Sequence, residues 1–186
     1  FTGKLNIQNK NHYHNVSERR QTIQENNNIE IVAYEEQYRA TFRNLNAEWI
    51  SAYFELEEND LKMLDHPEEY ILNRGGKILV ALYKGEPSGV CVLIKMEDDE
   101  YDFELAKMAV SPRAQGKNLG FSLGKAIIQE AQRAGAKNLY LESNTVLQPA
   151  IKLYEKLGFK RITGHPSPYK RVNIQMALNI ENYRDD

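Results

Sequence analysis

The chain has 186 residues with 24 basic and 26 acidic side chains, a formal net charge of −2 and a sequence pI near 6.2. This length predicts a single domain with a core of its own, and the near-neutral charge argues against a dedicated nucleic-acid or anionic-membrane partner. The single cysteine, Cys91, excludes an intramolecular disulfide, which favours a soluble, cytoplasmic domain.

The first 28 residues differ from the rest of the chain. They include ten Asn or Gln residues and show no sustained apolar period, so we expect 1–28 to form a flexible polar leader. His12 and His14 lie within it without the further ligands of a metal site, and no metal is predicted. The folded domain is expected at 29–178, followed by a polar tail at 179–186.

The elements of this domain are predicted from periodicity and turn residues, taken in chain order. A short strand at 29–32 precedes helices at 38–53 and from about 67 to 75. Strands are then expected at 77–83, 89–96 and 101–110, and Cys91 falls in one of these apolar runs as a small buried side chain. The remaining elements are a helix at 119–134, a strand at 138–143, a helix at 147–157 and strands at 159–162 and 170–178. Because the unit over 101–143 joins two strands through a helix, it predicts one parallel pair in a mixed, mostly antiparallel sheet. The fold class is therefore α/β (α+β).

The segment from Met108 to Gly120 leaves a strand, passes through a glycine-containing loop and enters a helix. The first N–H groups of a helix have no partner within it and bind phosphate readily, and glycine allows a ligand to approach the backbone closely. Glycines alone more often mark an ordinary connection, and this spacing fits neither a P-loop nor a dinucleotide motif.

The hexapeptide Gln115-Gly116-Lys117-Asn118-Leu119-Gly120 resembles the Gln/Arg-x-x-Gly-x-Gly/Ala motif of the GNAT superfamily of N-acetyltransferases. Residues 104–110 resemble the fourth strand of that family, and Asn144 with 149–159 resembles the segment that closes over the thioester. The resemblance extends over about 29–178. It implies a sheet of about seven strands flanked by about four helices, with a splayed parallel pair that forms the CoA cleft.

The resemblance also implies acetyl-CoA as co-substrate, with no metal. In the family, backbone amides of the motif hold the pyrophosphate, the neighbouring strand edge pairs with the pantetheine arm, and an Asn hydrogen-bonds that arm. The implied cofactor-binding residues are Met108, Ala109, Val110, Gln115, Gly116, Lys117, Asn118, Leu119, Gly120 and Asn144. Asn118 departs from the motif, since the family has glycine there, but Asn tolerates the left-handed conformation better than most residues. From the residues alone, Asn144 is equally well a turn residue.

The resemblance implies two catalytic residues, Glu104 and Tyr154. Glu104 is either a solvent-facing strand carboxylate or, by the resemblance, the general base that takes a proton from the acceptor amine, with Glu142 as a second candidate. Tyr154 lies on an apolar helix stripe and would by itself be a core residue; in the family this Tyr protonates the departing thiolate. A backbone N–H near Met108 would stabilise the oxyanion.

The function predicted in this way is transfer of the acetyl group of acetyl-CoA to an amine by direct attack in a ternary complex. The alternative is a catalytically silent acyl-CoA-binding sensor or regulatory module. The acceptor is an amine-bearing small molecule or a protein amine, with no nucleic-acid or membrane partner, and a homodimer stays open.

Two further observations concern the acceptor. An acidic cluster hints at a cationic acceptor and fits a solvated helix edge equally well. It consists of Glu55, Glu57, Glu58 and Asp60. Arg171 is either a ligand of an acceptor carboxylate or, more commonly, a surface arginine.

Overall fold

A computed structural model describes residues 28–184, and seven strands within this range form one sheet. The strands are β1 (Ile29–Ala33), β2 (Lys77–Tyr83), β3 (Glu86–Lys95), β4 (Phe103–Val110), β5 (Asn138–Ser143), β6 (Lys160–Ile162) and β7 (Ile174–Asn179). The α-helices of the described residues are α1 (Arg39–Tyr53), α2 (Glu58–Asp65), α3 (Pro67–Tyr70), α4 (Leu119–Arg133) and α5 (Gln148–Lys156). The predicted leader, including His12 and His14, lies outside the described residues except for Asn28, as do the last two residues of the predicted tail.

The strand order is β1-β2-β3-β4-β5-β7-β6. In this part of the chain β4 and β5 are the one parallel pair, and every other neighbouring pair is antiparallel. The predicted fold class is therefore confirmed. Across residues 28–184, no helix combines the length and the apolar character that a membrane span requires.

Helices cover both faces of the sheet. The apolar stripes of α4 and α5 pack on one face, where Leu123 and Ile127 are buried, and α1 to α3 pack on the other, where Phe42 and Leu64 are buried. The central strands consequently read as nearly continuous apolar runs, since both of their faces are covered. Cys91 lies fully buried on β3, as predicted.

The structure adds one helix that the sequence pattern did not reveal. Helix α2 has eight residues, which is too short for a helical period to be counted reliably. It is stabilised at its start by Asp60, whose Oδ2 accepts the backbone N–H of Glu57 at 2.9 Å. The helix predicted from about 67 is limited to the four residues of α3, followed by a short 3-10 turn at Leu72–Arg74.

The last strand also begins later than predicted. Its neighbour β5 ends at Ser143, which pairs with Ile174, so the chain before Ile174 has no ladder partner there. Residues 170–173 instead form a turn that brings Arg171 towards α2.

Candidate functional site

The connection from β4 to α4 contains the predicted glycine loop. The chain leaves β4 at Val110, makes a 3-10 turn at Pro112–Ala114 and enters α4 at Leu119. Gly116 and Asn118 both adopt left-handed backbone conformations, with φ of 74° and 67°. Asn118 is the N-cap residue of α4, yet its exposed side chain makes no capping hydrogen bond. The first N–H groups of α4 are thus available to an anionic ligand.

An open groove of about 650 Å³ lies between this loop and α5, and we call it the loop groove. Seven of the ten residues expected to bind the cofactor line it: Met108, Val110, Gln115, Gly116, Asn118, Leu119 and Gly120. Ala109 is instead buried in the core, and Lys117 is exposed outside the groove. Gly120 keeps the groove open beside α5, since a Cβ there would lie 3.1 Å from Cδ2 of Leu153.

The predicted splay of the parallel pair is present at the inner end of the groove. Strands β4 and β5 pair only at Phe103 with Leu139 and at Glu104 with Tyr140, and then diverge. On its other side β4 bulges between its pairings with Val90 and Val92 of β3. Beyond Glu104, backbone groups of β4 on the β5 side therefore have no partner strand.

A smaller cavity of about 80 Å³ opens between the diverging strands, and we call it the inner pocket. Its charged lining residues are Glu104, Lys107, Glu142 and Arg171. The loop groove and the inner pocket share four lining residues, namely Trp49, Met108, Leu147 and Tyr154. The two cavities therefore meet, and Tyr154 lies at their junction.

The two carboxylates of the inner pocket, Glu104 and Glu142, differ in their hydrogen-bond partners. Burial, followed by repulsion from Glu142, raises the pKa of Glu104 to about 7. Among the described residues Glu104 has no hydrogen-bond partner for its side chain. Glu142, in contrast, accepts hydrogen bonds from the Tyr140 hydroxyl at 2.9 Å and from Ser167 Oγ at 3.0 Å. Glu104 is the carboxylate that is free to exchange a proton with a ligand.

Tyr154 is 9% exposed and packs edge-on against Phe159, with ring centroids 6.3 Å apart. Burial raises the pKa of its phenol above the ordinary value of 10. No other group in residues 28–184 forms a hydrogen bond with its hydroxyl. Tyr154 is therefore a core side chain whose hydroxyl is a free hydrogen-bond donor at the junction of the cavities.

Asn144 lines the inner pocket, and its side chain is engaged within the protein. Its Nδ2 donates to the Arg171 carbonyl at 2.6 Å, and its Oδ1 accepts the Val146 N–H at 2.9 Å. These bonds shape the turn between β5 and α5.

A buried cluster of charges flanks the inner pocket, and the sequence pattern did not reveal it. Asp60 is fully buried, and its two oxygens accept hydrogen bonds from the two Nη atoms of Arg171, both at 2.7 Å. Lys107 Nζ lies 2.9 Å from Asp60 Oδ1 and donates to the Tyr169 hydroxyl at 3.0 Å. Burial alone would raise the pKa of Asp60, but the Arg171 hydrogen bonds and the Lys107 charge lower it to about 2.

This cluster changes how two residues singled out in the sequence are understood. The side chain of Arg171 is 16% exposed and paired with Asp60 and Glu57, so the interpretation as a surface arginine is wrong. Asp60 is fully buried and Glu57 is paired with Arg171, so these two members of the acidic cluster are not free for a cationic acceptor. The one local signal was the Glu57-x-x-Asp60 spacing of a helix start.

The loop between β6 and β7 is anchored beside the pocket through His165. Its Nε2 lies 3.0 Å from Asp98 Oδ2, and its Nδ1 lies 2.9 Å from the Pro166 carbonyl. Its ring contacts that of Tyr140, with the centroids 4.3 Å apart and the planes tilted by 42°. Although burial opposes protonation, the hydrogen bond with Asp98 raises the pKa of His165. The loop that carries Tyr169 and Arg171 is thereby fastened to the turn before β4.

Proteins of known structure share this fold. A GNAT-family acetyltransferase from Staphylococcus aureus Mu50 aligns with 82% of this chain and 99% of its own, at a TM-score of 0.74 and 20% identity. The putative acetyltransferase yncA from Salmonella typhimurium, solved with its cofactor acetyl-CoA, aligns with 86% of this chain and 98% of its own, at a TM-score of 0.68 and 20% identity. The fold is thus the one these acetyltransferases have.

The sequence relationship identifies the family. The profile of the Acetyltransferase (GNAT) family matches residues 38–159, and the chain belongs to that family. The uncharacterized N-acetyltransferase YjgM of Escherichia coli (strain K12) is 35% identical over 109 residues, which are 55% of this chain and 65% of YjgM. N-acetylaspartate synthetase of Danio rerio is 32% identical over 100 residues, 54% of this chain and 35% of that protein. The chain spans less than two thirds of the length of both relatives.

Proposed function

We propose that this protein is an acetyl-CoA-dependent N-acetyltransferase that acts by direct attack of an acceptor amine in a ternary complex. The observation that carries the proposal is the junction of the two cavities. Because the loop groove and the inner pocket meet at Tyr154 and Met108, a donor in one and an acceptor in the other would have their reacting groups adjacent.

The loop groove suits acetyl-CoA. The α4 N-terminus and the left-handed residues Gly116 and Asn118 supply backbone N–H groups for the pyrophosphate, and a Cβ on Gly116 would meet nothing within 4 Å. The unpaired edge of β4 from Met108 to Val110 would pair with the amide-containing pantetheine arm as an added strand does. Since the Asn144 side chain is already engaged, we assign it to the turn that borders the arm.

The inner pocket suits an amine. Both of its cations, Lys107 and Arg171, are paired with Asp60, and Glu57 beside Arg171 supplies the second negative charge that balances them. The carboxylates of Glu104 and Glu142 are consequently the charges that an ammonium group would meet, and Glu104 is the one without a hydrogen-bond partner among the described residues.

The chemistry follows from these positions. An amine near pKa 10 is almost wholly protonated at pH 7, and Glu104, with its pKa near 7, accepts the proton directly or through water. The amine nitrogen then bonds to the thioester carbonyl carbon while a backbone N–H near Met108 stabilises the oxygen. The C–S bond breaks, and the proton that the bonded nitrogen still has to lose passes through water to the departing thiolate, which leaves as the thiol. Tyr154 donates a hydrogen bond to the departing thiolate. Glu142 is unsuited to be the base, because both its oxygens already accept hydrogen bonds.

The proposal is tested by thiol release from acetyl-CoA with a panel of acceptors. The panel contains polyamines, lysine-bearing and free N-terminal peptides, and amino acids including aspartate, which the name of the Danio rerio relative indicates as an acceptor. We expect at least one amine to accelerate thiol release and to appear acetylated by mass spectrometry. Binding of acetyl-CoA without acceleration by any acceptor would contradict transfer and favour the acyl-CoA-binding sensor.

A further inference from the structure

The backbone of β4 adopts an unusual conformation beside the inner pocket. Lys107 has a φ of 48° in the middle of a strand, where a side chain rarely adopts the left-handed region. The β3–β4 register shifts at the same place, so Lys107 belongs to a bulge. A conformation of this kind persists only where surrounding contacts hold it.

Lys84 shows that the turn alone can account for such a conformation elsewhere in this chain. It has a φ of 52° and is followed by Gly85 with a φ of 81° in the two-residue connection between β2 and β3. Positive φ at both central residues is the ordinary requirement of a tight hairpin turn. Lys84 is exposed and lines neither cavity, whereas Lys107 has no turn to explain its backbone.

The side chain of Lys107 makes the contacts that hold its backbone in this conformation. It is 6% exposed, and its ammonium group is bound by Asp60 at 2.9 Å and the Tyr169 hydroxyl at 3.0 Å. Asp60 is itself held by Arg171 and by the Glu57 N–H at the start of α2. The bulge of β4 is therefore tethered through one ammonium group to α2 and to the loop before β7.

We infer that the Asp60–Lys107 ion pair is a positioning device that holds the β4 bulge in its left-handed conformation and thereby places the backbone N–H near Met108 that binds the acetyl oxygen. The inference rests on the proposed acetyl-CoA function. It assigns Lys107 and Asp60 a role that is exerted through the backbone of β4 and not through contact with the acetyl group. The tether also links the oxyanion donor to two segments that border the acceptor site, α2 and the loop carrying Tyr169.

The test compares affinities for acetyl-CoA and CoA, which differ in the acetyl group that the N–H recognises. Calorimetric Kd values of both ligands are measured for the wild type, Lys107→Met and Lys107→Gly. Lys107→Met removes the tether, and methionine disfavours a positive φ as lysine does. Asp60 retains its Arg171 hydrogen bonds, so no buried charge is left unpaired. We expect the preference of Lys107→Met for acetyl-CoA over CoA to fall about fivefold, which corresponds to the loss of one hydrogen bond. Lys107→Gly also lacks the tether but adopts positive φ freely, so we expect its preference to stay within about twofold of the wild type.

Lys84→Met and Lys84→Gly are the matched controls, because they make the same changes at a left-handed lysine outside the cavities. Both should keep the wild-type preference.

The inference is overturned if Lys107→Met has the same preference as the wild type, or if Lys107→Met and Lys107→Gly lose it equally. Equal affinity of the wild type for acetyl-CoA and CoA overturns it as well, whereas failure of the wild type to bind either ligand overturns the proposed function instead. Should Lys107→Met unfold, Lys107→Asn replaces it and is expected to lie between the methionine and glycine variants.

Discussion

Glu104 is expected to have opposite effects on the proposed catalysis and on stability. Its carboxyl holds a proton up to about pH 7 in the folded protein and only to its ordinary value of 4.5 when unfolded. The contribution of Glu104 to stability is thus complete below pH 4.5 and declines as the pH rises to 7. Above pH 7 the fold keeps a poorly solvated carboxylate at a cost of about 3 kcal/mol, and the same carboxylate is the proposed base.

We therefore expect Glu104→Gln to raise the free energy of unfolding by about 3 kcal/mol at pH 8, with little change at pH 4. The same variant should abolish the rise of kcat/KM with an apparent pKa near 7 that the wild type is expected to show. Urea unfolding and a pH–rate profile measure the two effects, with Glu30→Gln on the exposed side of β1 as the control. Equal stabilisation at both pH values would show that Glu104 is not the titrating group.

We propose that Tyr154 serves the reaction as a hydrogen-bond donor and not as a full acid. A thiol near pKa 8.5 is a weaker base than a phenolate, and burial raises the pKa of Tyr154 further, so full proton transfer to the thiolate is uphill. We expect Tyr154→Phe to lower kcat by about 10²-fold, at the lower end of the range for a lost proton donor, with the acetyl-CoA affinity unchanged. Steady-state kinetics and calorimetry measure this, with Tyr38→Phe, which lines neither cavity, as the control. An unchanged kcat would leave Tyr154 as a core residue only.

Among the elements, the loop before α4 was predicted closely because its signals are local. Strand end, glycine spacing and helix start all lie within 13 residues, and the left-handed conformation of Asn118 is one that Asn tolerates. Helix α2 was missed for the converse reason. Its eight residues carry too little periodicity, and its packing on the sheet through the buried Leu64 stabilises it.

Asn118→Gly tests the loop. Glycine adopts a φ of 67° without cost, and no side-chain capping bond is lost, so we expect acetyl-CoA to bind as tightly or up to about threefold more tightly. Gly116→Ala makes the reverse change at a φ of 74° and should weaken binding. Calorimetry measures both, and clearly weaker binding by Asn118→Gly would mean that its side chain contacts the ligand.

At the scale of the whole molecule, the packing of α4 on α5 fixes where Tyr154 lies. Gly124 of α4 faces Leu157 at the end of α5, and a Cβ on Gly124 would lie 2.4 Å from Leu157 Cδ1. The close approach of the two helices therefore depends on glycine at this position.

We expect Gly124→Ala to lower the free energy of unfolding by about 1–3 kcal/mol through overpacking. Chemical denaturation measures the loss. In a Leu157→Ala background the same substitution should cost less, since the clash is removed, and additive effects in this double-mutant cycle would contradict the packing explanation.

The order of the strands and the glycine loop could be predicted from local sequence, because each depends on backbone preferences and spacings within a short segment, whereas the two residues proposed for catalysis followed from the resemblance to the GNAT family. Which charges pair depends on the three-dimensional fold. Lys107 and Arg171 lie 47 and 111 residues from Asp60, and they meet it because the β4 bulge, the start of α2 and the turn before β7 converge beside the diverging strands. Ion pairing over such separations leaves no periodic trace in a sequence, since it is set by sheet register and by which side chains are taken out of water together.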